Sequence, residues 1–169
     1  MKNLFKKITV LALAALMALS FAACGKGGDN SQPKEFDVAK LAKDIFDNCK
    51  FEDQYLAELP DKGFALSSYN IDASLVTEEN GEKLVVSYVS SAYPEMIFVA
   101  KAVDKDAAGK VMSALKELVA KYIKDYTNYG PEQISKLESA VGREVGEYVI
   151  MVVSNDNSAA ASYIDSIIK

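Results

Sequence analysis

The residues best placed to do chemistry in this chain are a cysteine, a few tyrosines and scattered carboxylates. There is no His among 169 residues. Imidazole catalysis and most zinc and haem sites are thereby excluded. No Gly-x-x-x-x-Gly-Lys-Ser/Thr loop occurs, and no Gly-x-Gly-x-x-Gly follows a strand, so nucleotide phosphates lack their usual cradles. Ser113-Ala-Leu-Lys116 has Ser-x-x-Lys spacing. Its companion Lys-Thr-Gly is missing, and Ser113 sits off the apolar stripe of its helix, as a solvated residue would. Asp104-Lys-Asp106 and Asn155-Asp156-Asn157 hint at calcium. A calcium loop opening at Asp104 needs a Glu where Leu115 stands, so both runs read as helix caps. No cofactor is implied. Tyr93, Tyr126 and Tyr129, with Tyr122, form the group most able to bind. Tyrosine rings stack on sugars or anchor partners. The plainer reading gives Tyr122 and Tyr126 to the core and leaves Tyr129 exposed.

Cys24 carries the most specific message. Lys2, Lys6 and Lys7 precede an uncharged run from Ile8 to Phe21, then Ala22, Ala23 and Cys24. This is the three-part plan of a secretory signal. The run is shorter than the roughly 20 apolar residues of a membrane span. A Cys after two small residues at the end of such a run resembles a bacterial lipobox, with Phe21 standing where Leu is usual. The expectation is a signal peptide over 1–23, lipidation of Cys24, and a flexible linker over 24–35. Acyl chains such as palmitate on Cys24 would hold the protein on the outer face of the cell membrane. Gly25 to Lys34 has no large apolar residue and, as a Gly-rich coil, spans about 15–20 Å.

The charge agrees with an acyl tether. The chain has 19 Lys and Arg against 24 Asp and Glu. Loss of residues 1–23 removes three Lys and no acid, leaving a net charge of −8. So acidic a domain would be repelled by anionic lipid and by nucleic acid, so no nucleic-acid partner is expected. Cys49, the second of 2 Cys, falls at helical spacing with Leu41, Ala42, Ile45 and Phe46 and reads as a buried apolar thiol.

The elements that would position these groups follow from periodicity and turn residues. Asp37 to Cys49 reads as a helix. Tyr55, Leu56 and Leu59 suggest a helical turn ended by Pro60 and Gly63, and Tyr69 to Glu79 is weakly strand-like before the Asn80-Gly81 hairpin signal. Leu84 to Ser91 and Met96 to Val103 read as strands joined around Tyr93-Pro94. Asp104 caps a long helix over about 104–126. Pro131 starts a second helix with the face Ile134, Leu137 and Val141, stopped by Gly142. Glu144 to Ser154 contains a continuous apolar run, expected of a strand covered on both faces. Asn155 or Asp156 caps a last helix. The pattern predicts a single α+β domain over 36–169, with a small, mainly antiparallel sheet of three to four strands and helices packed on it.

Three stretches carry a family resemblance: the head ending at Cys24; Ser91 to Asp104, where an acid precedes Met-Ile-Phe-Val-Ala-Lys-Ala-Val-Asp; and Tyr129-Gly-Pro-Glu132 with Gly146 to Asp156. Together they resemble an uncharacterised domain-of-unknown-function family of small lipoproteins from Gram-positive, clostridial-type bacteria. The resemblance implies an extracytoplasmic, membrane-tethered domain and brings no catalytic residue. Two function classes follow. The first is a non-enzymatic binding or interaction module serving an envelope protein partner. The second is a small extracytoplasmic enzyme using carboxylate or Ser/Lys chemistry, which needs no His. A two-lobed solute-binding protein does not fit a single domain. The first is expected.

Overall fold

The computed structural model describes residues 34–169. The expected signal peptide, Cys24 and most of the linker lie outside the described residues. Chain order is α1 (Val38–Asn48), β1 (Ala57–Glu58), α2 (Lys62–Ser68), β2 (Glu78–Glu79), β3 (Glu82–Lys83), β4 (Val85–Val89) and β5 (Met96–Lys101). There follow α3 (Lys105–Tyr129), α4 (Ile134–Glu138), β6 (Val141–Val145), β7 (Tyr148–Val153) and α5 (Asn157–Ile167). Short 3-10 turns stand at Ala73–Leu75 and Pro131–Gln133.

The α+β class is confirmed, but the main sheet has five strands in the order β1-β4-β5-β7-β6, all antiparallel, rather than three or four. A separate two-stranded hairpin joins β2 and β3. Its tip, Asn80 and Gly81, has φ of 53° and 83°, the paired positive values that a two-residue hairpin turn demands.

Alternation along β5 and β7 builds two cores. Phe98, Ala100, Val149 and Met151 face α2, α3 and α4. Ile97, Val99, Ile150 and Val152 face α1 and α5. Both strands are apolar on both sides because helices cover both sides. Side-chain oxygens cap the helices as expected. Asp37 accepts from Lys40 N, Asp104 from Ala107 N and Asp156 from Ala159 N.

Three expectations are corrected. Ala57–Glu58 is not a helical turn but an edge strand on β4, and Pro60 and Gly63 do not end a helix. Asp61 caps α2 through Phe64 N, so Pro60 precedes a helix start and Gly63 lies in its first turn. Tyr69 to Glu79 is not one strand: it holds a 3-10 turn at Ala73–Leu75 capped by Asp72, a single bridge from Val76 to Ala102, and strand at Glu78–Glu79. The helix after Pro131 stops at Glu138, and Val141 and Gly142 belong to β6. Gly142 serves close approach instead. A Cβ there would come 3.2 Å from Met112 Sδ of α3.

Gly146 turns β6 into β7 with φ of 62°. An L side chain there costs about 1–2 kcal/mol. Gly146→Ala is therefore expected to lower unfolding free energy by about that amount, and Gly146→Asn by less, in urea titrations. Equal stability of all three proteins would contradict the assignment.

Candidate functional site

At the start of β5 the chain buries a carboxylate. Glu95 is 2% exposed. Its Oε1 accepts from Lys136 Nζ and Glu52 N, and its Oε2 from Glu52 N and Asp53 N, each at 2.9 Å. Burying an ionised carboxylate demands this much compensation. Lys136 reaches it from α4, with its side chain 9% exposed, and also holds Glu52 Oε2 at 2.9 Å. The same ammonium lies 5.4 Å from the centroid of the Tyr93 ring.

The surrounding loops are tied in turn. Ser90 Oγ donates to Asp53 Oδ2 at 2.5 Å and accepts from Tyr93 N at 2.8 Å, which fixes the β4–β5 connection. Tyr55 N donates to Asp53 Oδ1. Asn157 Nδ2 donates to the Lys136 carbonyl at 2.7 Å, while its Oδ1 accepts from Ser154 N. One asparagine thus fixes α4 to the end of β7.

Two clefts meet at this cluster. One, of about 190 Å³, is lined by Tyr69, Tyr93, Tyr122 and Tyr126, with Glu95 at its edge. The other, of about 480 Å³, is polar and lined by Glu52, Gln133, Ser135, Lys136 and Asn155 among others. Tyr93 and Tyr126, expected from the sequence as a binding group, do come together. Tyr129 is 89% exposed and lies outside the lining. Tyr122 serves both readings, since it also packs against the core.

Sequence reasoning gave no role to Glu52, Tyr69, Glu95 or Lys136. The one available signal was an acid directly before an apolar strand, where a charge meets a buried sheet end. Ser113 Oγ donates to the Gly109 carbonyl on an exposed helix face. Cys49, expected as a buried thiol, is only half-buried, and that burial pushes its thiol up to about 11.

The charges are locked. The Lys136 hydrogen bond holds Glu52 below the usual carboxylate range, and the Ser90 hydroxyl with the Tyr55 N–H does so for Asp53. Burial opposes the Lys136 charge, but the bonds to Glu95 and Glu52 outweigh it and raise this lysine. The Glu52 charge raises Tyr93. None of these four groups is poised to exchange a proton near neutrality.

Glu52 and Asp53 titrate lower folded than unfolded. Their contribution is complete above an unfolded value near ~4 and is lost as pH falls through the folded values. Glu35 and Asp165, lowered chiefly by hydrogen bonds from Lys101 and Arg143, act with the same sign. Lys136 titrates higher when folded, so its contribution holds below about 10.4 and is lost as pH rises through its folded value. The melting midpoint by circular dichroism is expected to be level across roughly pH 5–9 and to fall on either side. A midpoint that rises on acidification would contradict this.

The family described as "Domain of unknown function (DUF4358)" matches residues 61–154, more than half of the chain. The chain belongs to this family. No curated protein matches the sequence. No solved structure matches it either. The DUF4358 match runs from the Asp61 cap of α2 through β7, so it holds Tyr93, Glu95, Tyr126 and Lys136. Glu52 and Asp53, which close over Glu95, precede the DUF4358 match, as does α1.

Proposed function

We propose that this chain is an extracytoplasmic lipoprotein of a Gram-positive, clostridial-type bacterium, anchored to the outer face of the cell membrane through Cys24. Its folded domain is a non-enzymatic binding module that serves a partner at the cell envelope. The observation that carries the binding reading is the gathering of tyrosines at one end of the sheet around charges that are already paired. Tyr55, 84% exposed on the loop after Asp53, and Tyr129 add aromatic surface near that end. An enzyme using carboxylates would need an oxygen free to take a proton, and both Glu95 oxygens are occupied.

The tether supports the same reading. Phe36 N donates to Tyr148 Oη and Glu35 pairs with Lys101, so the chain joins the domain at the Lys101 end of β5. The tyrosine clefts lie at the Met96 end, about 20 Å away along six residues of strand. The binding end is thus remote from the attachment point.

A photoreactive residue placed at Tyr129 in intact cells is expected to capture a discrete envelope component. The same residue at Val103, exposed near the tether end, is expected to capture none. Cys24→Ser is expected to move the protein from the membrane to the soluble fraction. Equal capture at both positions, or none at either, would sink the binding reading, and retention of the Cys24→Ser protein on membranes would sink the anchor.

A further inference from the structure

We infer that the tyrosine cleft at the Met96 end of β5 takes a quaternary ammonium group; this rests on the binding-module reading and gives it a ligand. Four rings, those of Tyr69, Tyr93, Tyr122 and Tyr126, line a single cavity of about 190 Å³. Small-molecule sites usually run from about 300 to 1,000 Å³. This cavity has room for a head group rather than a whole ligand. No lysine or arginine is among its lining residues. Aromatic faces carry negative electrostatic potential, and several around one cavity hold a cation without a direct ion pair. Two of these rings already attract ammonium groups that do not line the cavity. Lys136 Nζ lies 5.4 Å from the Tyr93 centroid, and Lys121 Nζ lies 6.0 Å from that of Tyr122.

The charges beside the rings set the sign of the ligand. Asp53 is 8% exposed, and its oxygens accept from neutral donors, the Ser90 hydroxyl and the Tyr55 N–H. Ser90 also lines the cleft, so the Asp53 charge stands one hydroxyl behind the wall. Glu52 and Glu95 share the single ammonium of Lys136. Three carboxylates against one ammonium leave an excess of two negative charges at this end of the sheet. Lys121 does not offset them, because Asp125 pairs with it. Charges this well covered are weakly screened by salt. An anion is therefore repelled from the cleft and a cation drawn to it.

The free acceptors decide what the cation carries. Glu95 is the only acid lining the cavity, and both its oxygens are occupied. A primary ammonium entering the cleft would lose water and find no free carboxylate oxygen for its N–H groups. A quaternary ammonium has no N–H to satisfy, and its methyl groups pack on the tyrosine rings.

The test is titration of the full chain, held in a non-ionic detergent, with choline at constant ionic strength. The control ligand is choline's neutral isostere, in which carbon replaces the charged nitrogen. The chain has 9 Tyr and no Trp, so tyrosine fluorescence reports on the cleft, and NMR assigns the rings. Choline is expected to bind saturably and to shift Tyr93, Tyr122 and Tyr126, with the isostere weaker by about tenfold or more. Tyr126→Leu is expected to weaken choline binding by about tenfold, while Tyr126→Phe, which keeps the ring, retains it. Asp53→Asn leaves every ring in place and is expected to weaken choline binding but not that of the isostere. Choline binding without phosphocholine binding would assign the site to simple ammonium compounds, and equal binding of both would assign it to phosphate-linked head groups. The inference is overturned if choline does not saturate, if the isostere binds as well, or if neither Tyr126→Leu nor Asp53→Asn weakens binding. If choline fails while Tyr129 still captures an envelope component, only the ammonium assignment falls. If both experiments fail, the binding reading falls with it.

Discussion

Lys136→Met is expected to destabilise the domain by about 3–5 kcal/mol, because it leaves the Glu95 carboxylate buried without its cation. Glu95 is wholly covered in its side chain, and Lys136 nearly so. Water therefore cannot take over the lost interaction. Two backbone N–H groups would remain on the carboxylate, which limits the loss but does not replace a charge. For a domain of this size the melting midpoint should fall by roughly 10–17 °C. The double variant Glu95→Leu with Lys136→Met should recover part of that loss, since a buried ion pair and a packed apolar pair are often of similar stability. Thermal unfolding of the two variants beside the parent decides it. A loss below about 1 kcal/mol for Lys136→Met would mean that the pair is solvated like a surface bridge.

Phe98→Ala should cost about 3–5 kcal/mol. Phe98 is fully buried at the middle of β5, and its ring meets Tyr69 edge-on with centroids 5.8 Å apart. The cavity would open directly beneath the tyrosine cleft, since Tyr69 lines that cleft. Tyr69→Phe separates packing from hydrogen bonding. It keeps the ring and removes only the 2.8 Å bond to Ser87 Oγ, at a cost of about 1 kcal/mol. Burial has pushed the Tyr69 hydroxyl up to about 12, so it stays protonated and available to that bond. Urea unfolding with near-ultraviolet circular dichroism should therefore rank Phe98→Ala far below Tyr69→Phe. Similar losses for the two would mean that the hydroxyl pair, not the ring packing, supports this end of the sheet.

Both predictions concern residues whose importance depends on partners far along the chain. Local signals had a different reach. Asp37, Asp104 and Asp156 cap their helices because a side-chain oxygen needs only the N–H groups two or three residues ahead. The turn at Asn80-Gly81 is equally local. The start of β6 reads as helix in the sequence because Val141 continues the apolar spacing of Ile134 and Leu137 and Gly142 looks like a helix stop. Pairing with β7 and the approach of Met112 outweighed that pattern. β1 has only two residues, too few to show any period.

By itself the sequence determined the long helices, the strand at Tyr148–Val153 buried on both faces, the α+β class and the grouping of Tyr93 with Tyr126 as candidates, since caps, turns and hydrophobic period are properties of neighbouring residues. The tertiary structure alone decided that Glu95 is buried, that Lys136, 41 residues later, neutralises it, and that Glu52, 43 residues earlier, closes over it. A charge's burial and its partners are set by which distant segments the sheet brings together, and no local spacing encodes that.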